Sequence, residues 1–284
     1  MTDKRLPKIS LRLRTVCDMV DMGSRVADVG TDHGFVPITL IMEQRADHAI
    51  AMDVRKGPLE RAAGHVSEYG LTDMIECRLS DGLEKLMPGE SNTLICAGMG
   101  GVLMERILRD GCPYDKGIET LVLEPQSELE SFRRFLRIEG YEIIDETLVF
   151  EEGKYYPVIK AIYKAVDDKA DKLPLSYRKM ITELLAAMAG KRDISYGSVS
   201  DGEHFCTTVD DMKGETGLLV SVCDSFGPVI LAKKGDDLRR LLMHSIEVCD
   251  TILSRLEAAD RRETERYKAV LREKRMASAA LCVY

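Results

Sequence analysis

The 284-residue chain has no apolar run approaching the roughly 20 residues that a membrane-crossing helix requires. Its opening, Met1-Thr-Asp-Lys-Arg-Leu-Pro-Lys8, is polar and holds no apolar core, so no secretory leader is expected. Eight cysteines are present, but none forms a C-x-x-C pair, and the five histidines lack zinc-ligand spacing. Cys17, Cys77, Cys96, Cys223, Cys249 and Cys282 lie in apolar segments, where a thiol behaves as a small hydrophobe. These absences lead us to expect a soluble, cytoplasmic protein with reduced core thiols, no membrane association and no structural metal. The formal charge of −8 argues against a surface that coats nucleic acid indiscriminately, yet leaves room for a local basic face.

What is present is ordinary globular composition, 45% apolar and 31% charged, enough for one generous domain plus a small second one. Basic residues gather at two places. Lys4, Arg5, Lys8, Arg12 and Arg14 face only Asp3 near the start, and seven basic residues between Arg261 and Arg275 face three glutamates. Runs of this kind are commonly solvated helix faces.

Hydrophobic periodicity gives the organisation. A helix over Ile9–Met22 is followed by strands at Arg25–Val29, Ala49–Asp53, Met74–Leu79, Thr93–Ala97 and Thr120–Leu123. Helical stretches through Ile38–Met42, Pro58–Tyr69, Val102–Leu108 and Ser127–Ile138 separate them. Alternation of this kind implies parallel pairing through right-handed crossovers. Two further strands, Tyr141–Phe150 and Tyr155–Tyr163, meet at Gly153 and predict an antiparallel edge hairpin. The expectation is an α/β sheet domain over 1–165 and a smaller α-helical, coiled-coil-like domain over 166–284. Asp167–Lys172 reads as a charged break and Leu175–Ala189 as a helix, while 190–217 is left as loop within an unassigned insertion at 175–223. From Asp236 the residues Leu238, Leu242, Ser245, Cys249, Ile252 and Leu256 alternate steps of four and three, a coiled-coil seam. The partner helix is expected after a turn near Ala258-Ala-Asp260.

Four features fall at the carboxyl ends of successive strands, where open parallel sheets bind ligands. Asp28-Val-Gly-Thr-Asp-His-Gly34 follows the first strand; Gly30 permits a tight turn and close backbone approach. A dinucleotide site would carry G-x-G-x-x-G around a pyrophosphate. Here Asp28 and Asp32 would repel a pyrophosphate but suit the ammonium and sulfonium charges of S-adenosylmethionine (SAM). Asp53, 25 residues beyond Asp28, can accept both hydroxyls of a ribose. Asp81 can accept from the exocyclic amine of an adenine, with Gly82 avoiding a clash. Ala97, Gly98, Met99, Gly100 and Gly101 expose main chain at the centre of the cleft. Each feature alone reads equally as an ordinary turn; four in register at four strand ends do not.

Taken together, Leu11-Arg-Leu13, Ala27-Asp-Val-Gly-Thr-Asp-His33, Asp53 with Gly57-Pro58, Ser80-Asp81-Gly82, Ala97-Gly-Met-Gly-Gly101 and Phe226-Gly-Pro228 resemble the bacterial tRNA adenine-N1 methyltransferases that modify the D-loop. The resemblance runs from Lys8 to Tyr163 and returns over Phe226–Leu256. It implies a Rossmann-like SAM domain, a helical C-terminal domain and methylation of ring N1 of a tRNA adenine. The sequence departs at Gly34-Phe35, where the family has Ala-Tyr, and at Glu124-Pro-Gln126, where it has Gln-Pro-Asn. The stretch from Leu175 to Cys223 is longer than in family members.

On this reading Asp32 offsets the positive charge of the methylated base and His33 orders the loop or touches substrate, although either can instead bind cofactor or cap the helix. Lys8, Arg12 and Arg14 are candidates for tRNA phosphate contacts. Exocyclic-amine methylases carry Asn/Asp-Pro-Pro-aromatic after the fourth strand, and carbon-5 pyrimidine methylases a Pro-Cys nucleophile; neither pattern occurs at those places. A small-molecule SAM methyltransferase and a non-catalytic SAM- or RNA-binding protein remain as alternatives.

Overall fold

A computed structural model of the chain describes residues 5–164, 173–190 and 215–284. It divides into two compact units, Met1–Lys164 and Ala165–Tyr284.

The first unit is built on seven strands: β1 Ser24–Val29, β2 Ala46–Asp53, β3 Ile75–Leu79, β4 Thr93–Met99, β5 Thr120–Pro125, β6 Tyr141–Glu151 and β7 Lys154–Tyr163. They form one sheet in the order β3-β2-β1-β4-β5-β7-β6. The first five strands pair in parallel, and β7 and β6 join antiparallel at the end. The central strands read as continuous apolar runs because they are covered on both faces: Val26, Ala27, Ile50, Met52, Leu94 and Ile95 are fully buried or nearly so. The closing hairpin is as expected, with one topological detail the sequence does not give. The chain passes first to the outer edge as β6 and returns as β7 against β5.

The flanking helices are α1 Leu11–Met19, α2 Phe35–Met42, α3 Lys56–Tyr69, α4 Gly101–Gly111 and α5 Leu129–Ile138, with a 3-10 turn at Pro113–Lys116. Ser10 caps α1 by accepting from the Leu13 amide. Gly70 closes α3 in the left-handed conformation at φ +70. Helix α2 begins at Phe35, directly after Gly34, and carries the expected apolar stretch within it.

One buried ion pair ties α5 to the edge strand. Arg133 Nε lies 2.8 Å from Glu146 Oε1, and both side chains are essentially without solvent. Two charges removed from water are tolerated only as a satisfied pair.

In the second unit, α6 Leu175–Gly190, α7 Glu215–Phe226, α8 Pro228–Lys233, α9 Asp236–Ala258 and α10 Glu265–Leu281 pack as helices. The expected helix at Leu175–Ala189 is α6, and the end of the unassigned insertion folds as most of α7, which weak periodicity did not reveal. The expected charged break at Asp167–Lys172 and most of the expected loop, 191–214, lie outside the described residues. On α9, Leu238, Leu242 and Cys249 of the expected seam are buried, and Ile252 lines the cluster that Cys249 and Leu253 make with Val270 of α10. The chain turns at Asp260, which takes φ +53 without glycine. The seven described cysteines are all free thiols; Cys112 is exposed and Cys77 half-buried.

Arg133→Met should destabilise the protein by about 3–5 kcal/mol by taking the guanidinium from beside the buried Glu146 carboxylate. Replacing the pair together, Arg133→Met with Glu146→Leu, should recover most of that loss. Denaturant unfolding of the three proteins measures both.

Candidate functional site

Strand β1 pairs with β2 on one side and β4 on the other, all parallel. The order of strands therefore reverses at β1, and the crossovers leaving β1 and β4 diverge. Such a switch point opens a crevice at the carboxyl ends of the strands. The loops Asp28–Gly34 and Ala97–Gly101 face each other across it.

Asp28 is buried, and its Oδ2 has no hydrogen-bond partner among the described residues; the hydroxyl of Thr31 is orphaned in the same way. Burial raises the Asp28 pKa to about 6, the Asp53 charge adding to the shift and the neighbouring Thr31 opposing it. Buried polar atoms are normally satisfied; the Thr31 hydroxyl lies close enough to hold the Asp28 pKa down, yet Oδ2 is left without a well-formed hydrogen bond. What a carboxylate lacks in such a place is a donor or a cation. The loop itself is rigid. The amides of Gly30 and Thr31 both donate to the Met52 carbonyl, at 2.8 and 3.0 Å.

Gly30 sits at φ +77, and a Cβ there would lie 2.3 Å from the Met99 methyl. The first and fourth loops thus touch through a glycine and a methionine, which explains why both carry small or flexible residues. Asp53, at the end of β2, is buried and accepts from the Arg55 amide at 2.8 Å. Asp28 and Asp53 together make a strongly acidic pair of strand ends.

Asp32 and His33 lie at the exposed lip. Asp32 adopts φ +49, unusual for a residue with a side chain. Its carboxylate lies 3.2 Å from Arg61 Nη2 of α3 and 3.5 Å from His33 Nε2. The His33 ring stacks on Phe35 at 5.6 Å, and Phe35 stacks on His65 of α3 at 4.6 Å. His65 Nδ1 is 2.8 Å from the His33 carbonyl, which can only accept, so Nδ1 carries the proton. Phe35 supplies an aromatic face without a hydroxyl.

Two sets of expected residues have competing partners in the structure. Asp81 is engaged: Arg106 of α4 forms a two-pronged pair with it, at 2.9 and 3.2 Å, so an adenine amine would have to compete with a guanidinium. The expected phosphate contacts are also less free than charge counting implied. Arg14 is neutralised by Glu43 and Asp18, and Arg12 by Glu124 at 3.0 Å with Glu151 at 3.6 Å. Lys8 is exposed and has no ion pair among the described residues.

Sequence reading missed the partners that hold the expected residues. Arg106 stands 25 residues from Asp81, and no local pattern links them. Glu124 carried a signal, an acid closing the apolar run Leu121-Val-Leu123, and it is fully buried. Gly82 takes φ +52 against Ile107, and Gly98 takes φ +77. No group of three or more His, Cys, Asp or Glu able to hold a metal ion occurs among the described residues. None of the described helices is long and apolar enough to cross a membrane.

Residues 9–159 match the family described as methyltransferase domain. The chain is similar to the tRNA (adenine(22)-N(1))-methyltransferase of Bacillus subtilis, 36% identical over 179 residues, 63% of this chain and 75% of that protein. Among solved structures it is similar to the B. subtilis tRNA methyltransferase TrmK, with TM-score 0.70 and 26% identity over 98% of this chain and all of that one. A Streptococcus pneumoniae structure in complex with S-adenosyl-L-methionine shares the fold, with TM-score 0.67 and 23% identity over 96% of this chain and all of that one.

Gly30→Ala should cost about 1–2 kcal/mol from the left-handed backbone alone. It should also push the Met99 side chain off the loop. Adding Met99→Ala should relieve the contact but not the backbone cost, so thermal unfolding of the double variant should stay below that of Met99→Ala.

Proposed function

The chain belongs to the tRNA (adenine(22)-N(1))-methyltransferase family of methyltransferase-domain proteins, and from that premise we propose that it methylates N1 of an adenine in the D-loop of tRNA. The observation that carries the reading to this chain's own residues is the orphaned Asp28 carboxyl oxygen at the switch point, beside a second buried aspartate. Asp28 beside the first loop disfavours a pyrophosphate, and the two acids together fit a ligand that brings an ammonium group and a ribose. SAM is such a ligand.

Asp28, Gly30, Asp32, Asp53, Asp81, Gly82, Ala97, Gly98, Met99 and Gly100 would hold it. When bound, SAM supplies a methyl group on a sulfonium, whose transfer to adenine N1 yields S-adenosylhomocysteine and a cationic base. The protein's part is positioning and charge placement. N1 offers a lone pair, so no side chain has to remove a proton first. Asp32, at the lip, offsets the new positive charge, and it must loosen its contact with Arg61 to do so. His33, fixed through its carbonyl by His65 and through its ring by Phe35, orders that lip.

The tRNA substrate meets exposed Lys8, where phosphates are held rather than read. Base access in folded tRNA requires local opening or flipping. A tRNA substrate also implies a cytoplasmic location.

Purified protein given SAM with a labelled methyl should label bulk tRNA at N1-methyladenosine, and small metabolites should stay unlabelled. Asp32→Ala should lower kcat by about 10²–10³ and weaken S-adenosylhomocysteine binding far less, because Asp28 and Asp53 still hold the cofactor. Full activity in that variant would remove Asp32 from the mechanism, and label in metabolites alone would move the substrate out of RNA.

Asp28 sets a pH dependence. A bound cation favours the carboxylate, whereas protonation removes the attraction, and the free carboxyl titrates near pH 6. Affinity for S-adenosylhomocysteine should hold above that pH and fall by about tenfold per unit below it. Asp28→Asn should bind weakly and with a flat profile. Calorimetric titrations between pH 5 and 7 test the sign.

A further inference from the structure

Strand β4 is irregular where it enters the cleft. Ala97 pairs with Glu124 and Met99 with Pro125, so Gly98 is an extra residue between two registered neighbours. A glycine at positive φ is the usual bulged residue, and the bulge takes its amide out of the ladder. The Gly98 N–H does not go unpaired. It donates to Glu124 Oε2 at 2.6 Å, and the same oxygen accepts from Arg12 Nη1 at 3.0 Å. Glu124 Oε1 accepts from Gln126 Nε2 at 3.4 Å. Three donors therefore converge on one carboxylate that is fully buried.

The chemistry of the side chain fits this arrangement. A carboxylate is acceptor-only at both oxygens, so it can serve three donors at once. An amide at 124 would keep an oxygen for Gly98 and Arg12 but lose the charge that strengthens both bonds. The charge requires a partner in turn, because a buried carboxylate without one is strongly unfavourable. Arg12 of α1 is that partner. Its guanidinium also packs over the Tyr156 ring, 5.5 Å from the centroid, and lies close to Glu151 of β6. Its charge is directed into the protein.

We propose that Arg12 and Glu124 act as a positioning pair that clamps the bulged Gly98 amide, and so fixes the Ala97–Gly101 turn that is proposed to hold SAM. The proposal rests on the methyltransferase reading for its consequence but not for its geometry. Arg12 on this account is not a phosphate contact. Neither residue touches a reacting atom; both act through the main chain of the turn.

The test compares Glu124→Gln, Arg12→Met, Arg12→Lys and the double variant Arg12→Met/Glu124→Gln with the natural chain. Hydrogen exchange at the Gly98 amide, read by NMR without cofactor or tRNA, should speed up about tenfold in Glu124→Gln, equivalent to about 1.4 kcal/mol. In methyl transfer, Glu124→Gln and Arg12→Met should each lower kcat about tenfold with the KM for tRNA nearly unchanged. The double variant should be no worse than the weaker single, since both break one clamp. Arg12→Lys should restore part of the loss.

A raised tRNA KM and a flattened salt dependence in Arg12→Met, with Glu124→Gln silent, would overturn the proposal in favour of a phosphate contact. Unchanged Gly98 exchange, or additive losses in the double variant, would overturn it equally. Should Arg12→Met fail to fold, the near-isosteric Glu124→Gln and the charge-free double variant still decide. If the natural chain transfers no methyl to tRNA, the proposed function fails, and the exchange measurement alone judges the clamp.

Discussion

Parallel hydrogen bonding of β1 on both of its edges is the constraint from which the rest of the first unit follows. A strand so placed is buried on both faces, which is why Val26, Ala27 and Val29 sit in the core and why Asp28 is carried in with them. Because β2 and β4 lie on opposite sides of it, the chain must leave β1 and β4 in diverging directions. The gap between those exits brings Gly30 within reach of Met99. It also leaves one buried Asp28 carboxyl oxygen without a hydrogen-bond partner among the described residues. Fold and site are therefore one consequence of strand order, not two separate features.

Within that frame the site divides into a stiff floor and a softer lip. The floor consists of main-chain turns whose amides are already satisfied, at Met52 for the first loop and at Glu124 for the fourth. Asp32, His33 and Phe35 form the lip, held by ion pairs and ring stacking at partly exposed positions. Exposed pairs of this kind are worth little in stability, about 0–1 kcal/mol, and rearrange readily when a substrate arrives. A rigid floor suits recognition of a small cofactor, and a yielding lip suits a large, structured substrate.

The positions of Asp28, Asp53, Gly30 and the Ala97–Gly101 turn were legible because each follows a strand whose apolar run marks its own end. Local chemistry sufficed there: an acid or a glycine after four to six buried residues can only sit on the rim. The fates of Asp81, Arg12 and Arg14 were not legible. Whether a charged side chain faces solvent or a partner depends on residues far away in sequence, Arg106 for Asp81 and Glu124 for Arg12. Counting charges along the chain therefore overstated how many cations were free. The α7 helix escaped for a different reason. Nearly every residue of Leu218–Cys223 is apolar, so no one-sided periodicity distinguishes helix from strand or core loop.

The sequence by itself determined the alternation of strands and helices, the closing hairpin, the helical second unit and the acidic character of the strand-end loops, because these rest on periodicity and on glycine and proline chemistry acting over a few residues. Only the tertiary structure decided which acids stand unpartnered and which are neutralised, and that β4 bulges at Gly98 onto a buried glutamate. Those outcomes depend on burial and on pairs separated by 25 to 112 positions. Desolvation makes the pairing of buried Glu124 obligatory, and no local pattern records either pair.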